Sequence, residues 1–160
     1  MDDDDDDDIY STPSFRYRWD VFLSFKREDS RHNFTETLSR ELIRNGIRTF
    51  RYDEELERGE EIAPSLVEAI QDSAAAIAVI SSKYASSRRC LEELARIVEY
   101  RKLNLPVFYK VDPSDVRRQK GPFEEDFVKL VQRFGENKVG RWRRAMEKAG
   151  DISDWDSRIW

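Results

Sequence analysis

The sequence predicts a single α/β domain in which helices cover both faces of a parallel sheet. Short apolar segments of strand length alternate along the chain with amphipathic segments of helical period, as in folds built from right-handed β-α-β units. The longest apolar run, residues 74–80, is continuous rather than alternating, which is typical of a central parallel strand covered on both faces. The length of 160 residues suits one domain.

The strands and helices follow one another in regular order. Four strands are predicted at residues 20–25, 47–50, 74–81 and 105–111. Pro106 is expected at the start of the fourth strand, because proline cannot donate to a ladder. Helices are predicted where apolar side chains recur three and four positions apart, namely at Phe34, Leu38 and Leu42, at Leu66, Val67 and Ile70, across residues 87–102, at Phe123, Phe127, Leu130, Val131 and Phe134, and across residues 139–149. The loops that follow the strands should border any ligand site.

The first 16 residues are predicted to form a disordered acidic tail. Aspartates occupy residues 2–8 without interruption, and like charges repel where nothing apolar separates them. The folded domain is expected to span residues 17–155, with a linker at residues 156–160. Without the seven aspartates the net charge changes from −5 to +2, which is too small to predict specific nucleic-acid binding.

Composition also limits where such a domain works. Cys90 is the single cysteine, so no intramolecular disulfide can form, and a reducing compartment, the cytoplasm or the nucleus, is expected. No apolar run approaches the roughly 20 residues of a membrane-spanning helix, so no membrane contact is expected. Cysteine and histidine do not cluster with the spacing of metal ligands, and no metal site is expected.

Five motifs, taken in order, point to one family. They include Asp-Val-Phe-Leu-Ser-Phe at residues 20–25, Gly-Ile-Arg-Thr-Phe-Arg at 46–51, Arg-Gly-Glu at 58–60, Cys-Leu-Glu-Glu-Leu at 90–94 and Val-Phe-Tyr-Lys-Val-Asp-Pro-Ser-Asp-Val-Arg at 107–117. Together they closely resemble the TIR (Toll/interleukin-1 receptor) domains of plant NLR disease-resistance proteins. The resemblance covers about residues 18–155. It implies a flavodoxin-like three-layer sandwich with a five-stranded parallel sheet.

The resemblance implies an activity and a mode of assembly. Plant TIR domains hydrolyse NAD⁺ or NADP⁺ to nicotinamide and ADP-ribose-type signals; the dinucleotide is the substrate, and no cofactor is implied. They act by self-association, so the implied partners are further copies, other TIR domains or the remainder of a receptor. One such surface is formed by the first and last helices. In this sequence the exposed residues of that surface are Arg31, Glu36, Thr37, Arg40 and Glu41 in the first helix and Arg141, Arg143, Arg144 and Lys148 in the last.

The family's catalytic glutamate matches Glu93. Helical geometry does not select it, because Glu92 and Glu93 flank the apolar stripe of their helix at similar angles, and both read as solvated acids without the motif. A carboxylate beside the ribose can stabilise the positive charge that grows as nicotinamide leaves. Substrate binding is implied for residues around the same cleft, namely Ser24, Phe25, Lys26, Arg27, Glu28, Arg31, Gly59 and Arg89.

Three departures from the family's pattern fall at this cleft. Arg27 replaces a glycine, so a large side chain is expected at the cleft, and Tyr52 stands where an aspartate is common. Arg89 replaces a tryptophan that offers a stacking surface. Arg89 also lies four residues before Glu93 on one helical face and is predicted to pair with it. Two functions stay open: an NAD⁺ nucleosidase switched on by oligomerisation, and a non-catalytic scaffold that acts only through TIR–TIR contacts.

Overall fold

The computed structural model describes residues 17–27, 34–52, 54–56 and 61–152. In these residues one parallel sheet contains four strands, β1 (Trp19–Phe25), β2 (Thr49–Arg51), β3 (Ser73–Ile80) and β4 (Leu103–Phe108). Their order across the sheet is β2-β1-β3-β4, which places β1 and β3 at the centre. The tail predicted at residues 1–16 and the linker at 156–160 lie outside the described residues.

Helices connect and cover the strands. They are α1 (Phe34–Arg44), α2 (Pro64–Gln71), α3 (Arg88–Glu99), α4 (Pro113–Arg118), α5 (Glu124–Phe134) and α6 (Glu136–Asp151), with short 3₁₀ turns at Tyr84–Ser86 and Gly121–Phe123. Ser87 begins α3 by accepting a hydrogen bond from the Cys90 N–H, and Asp112 caps α4 in the same manner. Pro113 suits the first turn of α4. The helix α4 was not among the predicted elements.

The two faces of the sheet are covered by different helices. Alternate residues of β1, Val21 and Leu23, pack in one cluster with Phe34 of α1, whereas Phe22 packs on the opposite face with Leu66 of α2. In a third cluster α3, α4, α5 and α6 surround the fully buried Trp142, and this cluster meets the sheet at Ala78 and Ile80 of β3. The predicted sheet with helices on both faces is therefore confirmed in the described residues.

The fifth strand is not confirmed. Within the described residues the sheet ends at β4, and α5 passes into α6 through Gly135 alone. Gly135 has φ 86°, a left-handed conformation that favours glycine, and it turns the chain directly from one helix into the next. A strand cannot fit between these two helices.

The prediction for Pro106 was wrong. The fourth strand begins at Leu103, and Pro106 lies in its interior opposite Ala78 of β3. Within the described part of the chain β4 pairs with β3 alone, so its alternate N–H groups need no partner and proline is tolerated. All four predicted strands are confirmed, with ends displaced by one to three residues.

Candidate functional site

A buried carboxylate lies at the carboxyl ends of the two central strands. Ser24, the penultimate residue of β1, donates a hydrogen bond from Oγ to Glu93 Oε1 at 2.7 Å. The Tyr84 hydroxyl lies 2.7 Å from the same Ser24 Oγ. Ser24, Tyr84 and Glu93 all have 0% exposure, so no part of this cluster contacts solvent.

The structure separates the roles of the two neighbouring glutamates, which helical geometry left equivalent. Glu92 turns toward α6, where its Oε2 accepts hydrogen bonds from Trp142 Nε1 at 2.7 Å and from Arg141 at 2.8 Å. Glu93 turns toward the sheet and Ser24. Neither is the solvated acid expected from the residues alone, because both are buried. Glu92 joins helices, and Glu93 is the acid at the strand ends.

Arg89 occupies the space directly beside Glu93. Its Nη1 donates to Glu93 Oε2 at 2.9 Å, which confirms the predicted pairing four residues apart. Its Nη2 donates to the Phe25 carbonyl oxygen at 2.9 Å and to Glu55 Oε2 at 3.1 Å. The side chain has 0% exposure, and its Nε has no hydrogen-bond partner in the described residues. Arg89 therefore joins α3, the end of β1 and the loop after β2.

Glu55 closes the cluster from the loop that follows β2. Its Oε1 accepts a short hydrogen bond from Ser87, the residue that caps α3, and its Oε2 lies near both Arg89 and the Lys26 amine, the latter at 3.6 Å. Nothing in the sequence marks Glu55 as a site residue, because one glutamate in a charged loop carries no periodicity or motif that indicates a contact. Together Arg89 and Glu55 cover the carboxylate of Glu93.

Burial has the largest effect on the electrostatics of this cluster. Removal from water raises the pKa of Glu93 from 4.5 to about 7, although the charge of Arg89 and the bond from Ser24 act in the opposite direction. Burial acts to lower the pKa of Arg89, but the carboxylates of Glu93 and Glu55 outweigh it, so the guanidinium remains charged. Burial also acts to raise the pKa of Glu55, but Ser87 and Arg89 outweigh it, and that pKa lies below its usual value.

A groove of about 530 Å³ opens beside Glu55, between the amino end of α3 and the side of α5. Its charged lining comprises four cationic and two acidic side chains, Lys26, Arg88, Lys129, Arg133, Glu55 and Asp126. Phe134 forms an apolar wall, with the guanidinium carbons of Arg133 and Arg88 at 5.1 and 5.8 Å from its ring centroid. The excess of positive charge suits an anionic ligand.

The remaining predicted binding residues are dispersed. Phe25 offers its carbonyl oxygen to the site, whereas its ring lies on the α1 face of the sheet under Arg51. Lys26 lines the groove. Arg27 is exposed and does not line this groove, and its expected part in substrate binding stays a prediction. Glu28, Arg31 and Gly59 lie outside the described residues.

Tyr52, the other departure, does not reach the site. Its ring packs against the cluster formed by Phe22, Leu66 and their neighbours, and its hydroxyl donates to Glu54 at 3.2 Å. The strand that precedes it ends at Arg51, and the Tyr52 side chain packs on the face of the sheet that α2 covers. Of the three departures, Arg89 alone contacts the buried carboxylate in the described residues.

Part of the predicted assembly surface is used inside the domain. Arg141 bonds Glu99 and Glu92, and Arg143 lies over the ring of Phe127, so these two arginines of α6 do not project freely. On α1, Glu36 forms a two-point ion pair with Arg51. Five other residues of the predicted surface are exposed or half-buried, namely Thr37, Arg40, Glu41, Arg144 and Lys148.

The described residues contain neither a metal-ligand cluster nor a membrane-spanning helix. No group of three or more histidine, cysteine, aspartate or glutamate side chains has the geometry to hold a metal ion in the part of the chain described. None of the described helices is both long enough and apolar enough to span a membrane.

These features define an α/β sandwich domain with a carboxylate-centred site at the carboxyl edge of its sheet. The chain belongs to the TIR domain family, whose sequence model, described as "TIR domain", matches residues 18–160. Family membership therefore rests on nearly all of the described residues.

The relatives are plant disease-resistance proteins. Disease resistance protein RPV1 of Vitis rotundifolia is 48% identical over 151 residues, which are 91% of this chain and 11% of that protein. TMV resistance protein N of Nicotiana glutinosa is 42% identical over 148 residues, 89% of this chain and 13% of that protein. The chain thus spans little more than a tenth of the length of these relatives.

A solved structure has the same fold. The TIR domains in the structure of the activated Roq1 resistosome, which directly recognises the pathogen effector XopQ, match with a TM-score of 0.74 and 45% identity. The match covers 84% of this chain and 85% of that one. Similarity at this level extends the family assignment from sequence to three-dimensional structure.

Proposed function

We propose that this chain is the TIR domain of a plant immune receptor, and that after self-association it hydrolyses NAD⁺ or NADP⁺ at Glu93 in the cytoplasm or nucleus. The observation that carries the proposal is the position of Glu93, a fully buried carboxylate beside the carboxyl ends of two central strands. A buried acid with a raised pKa is costly to the fold, and such groups concentrate at functional sites. The family resemblance independently selects the same residue.

Cleavage of the nicotinamide–ribose bond makes modest demands on a protein. The bonding electron pair leaves with nicotinamide, which departs neutral because its ring nitrogen was cationic. The ribose carbon becomes oxocarbenium-like, and a carboxylate beside it stabilises the growing positive charge. Water adds to that carbon and releases one proton, which completes ADP-ribose. In this account Glu93 supplies the carboxylate, and Ser24 orients it through the bond to Oε1.

The groove supports an anionic substrate. Lys26, Arg88 and Arg133 present positive charge within one groove of about 530 Å³, which adjoins Glu55. A dinucleotide carries its two phosphates between its riboses, so phosphates in the groove would leave one ribose directed toward Glu55 and the buried cluster behind it. The charge-assisted hydrogen bonds that lysine and arginine make to phosphate are among the stronger polar contacts in proteins.

The site is closed, which makes activation part of the proposal. Both oxygens of Glu93 are occupied, Oε1 by Ser24 and Oε2 by Arg89, so the carboxylate becomes available only when Arg89 moves. Glu55 already binds the same guanidinium and can retain it. We propose that contacts with other TIR domains, or with the remainder of a receptor, shift the loop carrying Glu55 and take Arg89 with it. The similar TIR domains of Roq1 come from an assembly called a resistosome.

One observation favours a second function, a non-catalytic scaffold that acts only through TIR–TIR contacts. Arg89 is buried, charged and bonded on three sides, and removing one member of such a cluster typically costs about 3–5 kcal/mol. If Arg89 never leaves Glu93, the substrate cannot make contact with the Glu93 carboxylate. The choice between the two functions therefore depends on the mobility of one side chain.

The deciding experiment is NAD⁺ consumption by the purified domain, crowded on beads to promote self-association. Glu93→Gln keeps the shape of the side chain and removes its charge, and Glu93→Ala removes the carboxyl group. Arg89→Trp restores the family's stacking surface and frees Oε2. Glu68→Gln is the matched control, because Glu68 is an exposed glutamate on α2 outside the site.

We expect nicotinamide release by the natural sequence and by Glu68→Gln, with loss of at least tenfold in both Glu93 variants. Activity that appears only in Arg89→Trp would establish the scaffold, with a pocket disabled by Arg89. Undiminished activity in Glu93→Gln and Glu93→Ala would exclude Glu93 as the catalytic group.

A further inference from the structure

We infer that Tyr84 is a positioning residue that acts on Glu93 through Ser24, and that this chain of three side chains determines how readily Glu93 holds a proton. The relevance of Tyr84 to catalysis rests on the proposed function. Its effect on the protonation of Glu93 does not, because that effect follows from the hydrogen bonds alone.

The hydrogen-bonded chain of Tyr84, Ser24 and Glu93 is short, continuous and closed to solvent. Tyr84 Oη lies 2.7 Å from Ser24 Oγ, and Ser24 Oγ lies 2.7 Å from Glu93 Oε1. At its far end the Tyr84 hydroxyl is also within hydrogen-bond distance, 3.2 Å, of the Cys90 carbonyl oxygen. Since the three side chains are fully buried, their protons must be donated to one another or to the Cys90 carbonyl oxygen.

Two arrangements of the hydrogens satisfy every donor. When Glu93 is ionised, Ser24 donates to Glu93 and Tyr84 donates to Ser24. When Glu93 is protonated on Oε1, the direction reverses: Glu93 donates to Ser24, Ser24 donates to Tyr84, and Tyr84 donates to the Cys90 carbonyl. A hydroxyl group both donates and accepts, so neither arrangement requires a heavy atom to move.

The Tyr84 hydroxyl is essential to only one arrangement. In Tyr84→Phe the ionised form keeps its Ser24 donor, whereas in the protonated form the Ser24 hydroxyl has lost its acceptor. A buried donor without an acceptor is disfavoured, so the substitution should destabilise protonated Glu93 and lower the pKa of Glu93. We expect a downward shift of about one pKa unit, a tenfold change in the protonation constant.

Removal of Ser24 should act in the opposite direction. Ser24→Ala takes a hydrogen bond away from the carboxylate form, which depends on it more strongly than the neutral form does, so the pKa of Glu93 should rise. In Ser24→Ala the Tyr84 hydroxyl still has the Cys90 carbonyl as its acceptor. Opposite shifts of the Glu93 pKa on removal of two neighbouring hydroxyl groups are expected when the direction of the hydrogen bonds reverses with protonation.

Other charged and titratable groups surround Glu93, and apart from the substituted residue itself they are unchanged in both variants. Arg89 and Cys90 belong to α3, Tyr84 to the 3₁₀ turn, and Glu55 to the loop after β2. Burial raises the pKa of the Cys90 thiol and of the Tyr84 hydroxyl, so both stay neutral through the range in which Glu93 titrates. Within this set of groups, only Glu93 changes charge near neutral pH.

The test is a ¹³C NMR titration of glutamate side-chain carboxyl groups in the substrate-free domain, with Glu93→Gln to assign the signal. The variants are Tyr84→Phe, Ser24→Ala and the double variant. Tyr100→Phe is the matched control, because the Tyr100 hydroxyl accepts a hydrogen bond from Arg96 on the same helix as Glu93 but does not join the chain.

We expect a lower pKa of Glu93 in Tyr84→Phe, a higher one in Ser24→Ala, and no change in Tyr100→Phe. The double variant should match Ser24→Ala, because without Ser24 the Tyr84 hydroxyl no longer reaches Glu93. Shifts of the same sign in the two single variants, or an unchanged pKa in Tyr84→Phe, would overturn the inference.

Two additional measurements cover the ways in which that titration could fail. If Tyr84→Phe does not fold, incorporation of 3-fluorotyrosine makes the phenol a better donor and a poorer acceptor, and it should lower the pKa of Glu93 in the same sense; no shift would overturn the inference. If NAD⁺ is hydrolysed, the pH dependence of kcat in Tyr84→Phe should move with the titration. Absence of hydrolysis would leave the titration result intact and would count only against the proposed function.

Discussion

The raised pKa of Glu93 makes a quantitative prediction about stability. Burial moves this pKa from 4.5 to about 7, and each unit corresponds to about 1.4 kcal/mol, so protonated Glu93 contributes about 3 kcal/mol to folding relative to the ionised form. The folded state binds the proton more tightly than the unfolded state does. The contribution is therefore complete below about pH 4.5 and is lost as the pH rises through about 7.

Glu93→Gln removes this dependence while keeping the size of the side chain. The free energy of unfolding should be measured by urea denaturation at several values between roughly pH 5 and pH 8. Relative to the variant, the natural sequence should lose about 2–3 kcal/mol across that range. Comparison at each pH cancels the titration of distant groups such as Asp20 and Asp112, whose pKa values are lowered by hydrogen bonds from Arg48 and Ser114.

Either of two results would refute this reasoning. A difference between the two proteins that stays constant within about 0.5 kcal/mol would mean that the pKa of Glu93 does not change on folding. A difference of opposite slope, with the natural sequence gaining stability as the pH rises, would mean that the bond from Arg89 outweighs burial. Glu68→Gln should show neither effect, since Glu68 is exposed.

Two further substitutions test the packing of α6. Gly150→Ala should destabilise the domain by about 1–3 kcal/mol despite the better helix propensity of alanine, because the added Cβ would lie 2.7 Å from backbone atoms of Arg117. Thermal unfolding measures the loss of stability, and a raised Tm would contradict the close contact. Trp142→Phe should lower the free energy of unfolding by roughly 1–3 kcal/mol, because it removes the indole N–H from Glu92 and leaves that buried acid with Arg141 alone. An unchanged urea midpoint would show that this hydrogen bond adds no stability.

Much of the fold could be predicted from local pattern. Apolar runs such as residues 74–80 and the helical spacing of Phe34, Leu38 and Leu42 identify elements, because the periods of strands and helices are properties of the backbone itself. Pro106 shows the limit of that argument. A proline rule places it at the start of a strand, but its tolerance in the interior of β4 depends on which strands lie beside it.

The candidate site was predictable only in part. The motif at residues 90–94 selected Glu93, and the spacing of four residues predicted the bond from Arg89. Glu55 and Tyr84 were missed, because neither contacts Glu93 directly: Glu55 binds Arg89 from the loop after β2, and Tyr84 lies beside Ser24 from the turn after β3. Contacts of this kind arise from the path of a loop and the turn after a central strand, neither of which has a sequence period.

The sequence by itself therefore determined the alternation of elements, the family and one catalytic candidate, all of which are recorded in spacing and motif. Tertiary structure alone decided that Glu92 binds Trp142 while Glu93 faces Ser24. Both acids lie at similar angles to the apolar stripe of α3, so their surroundings depend on what packs on each side of that helix. The sheet lies on one side and α6 on the other, and the resulting loss of water around Glu93 is what raises its pKa.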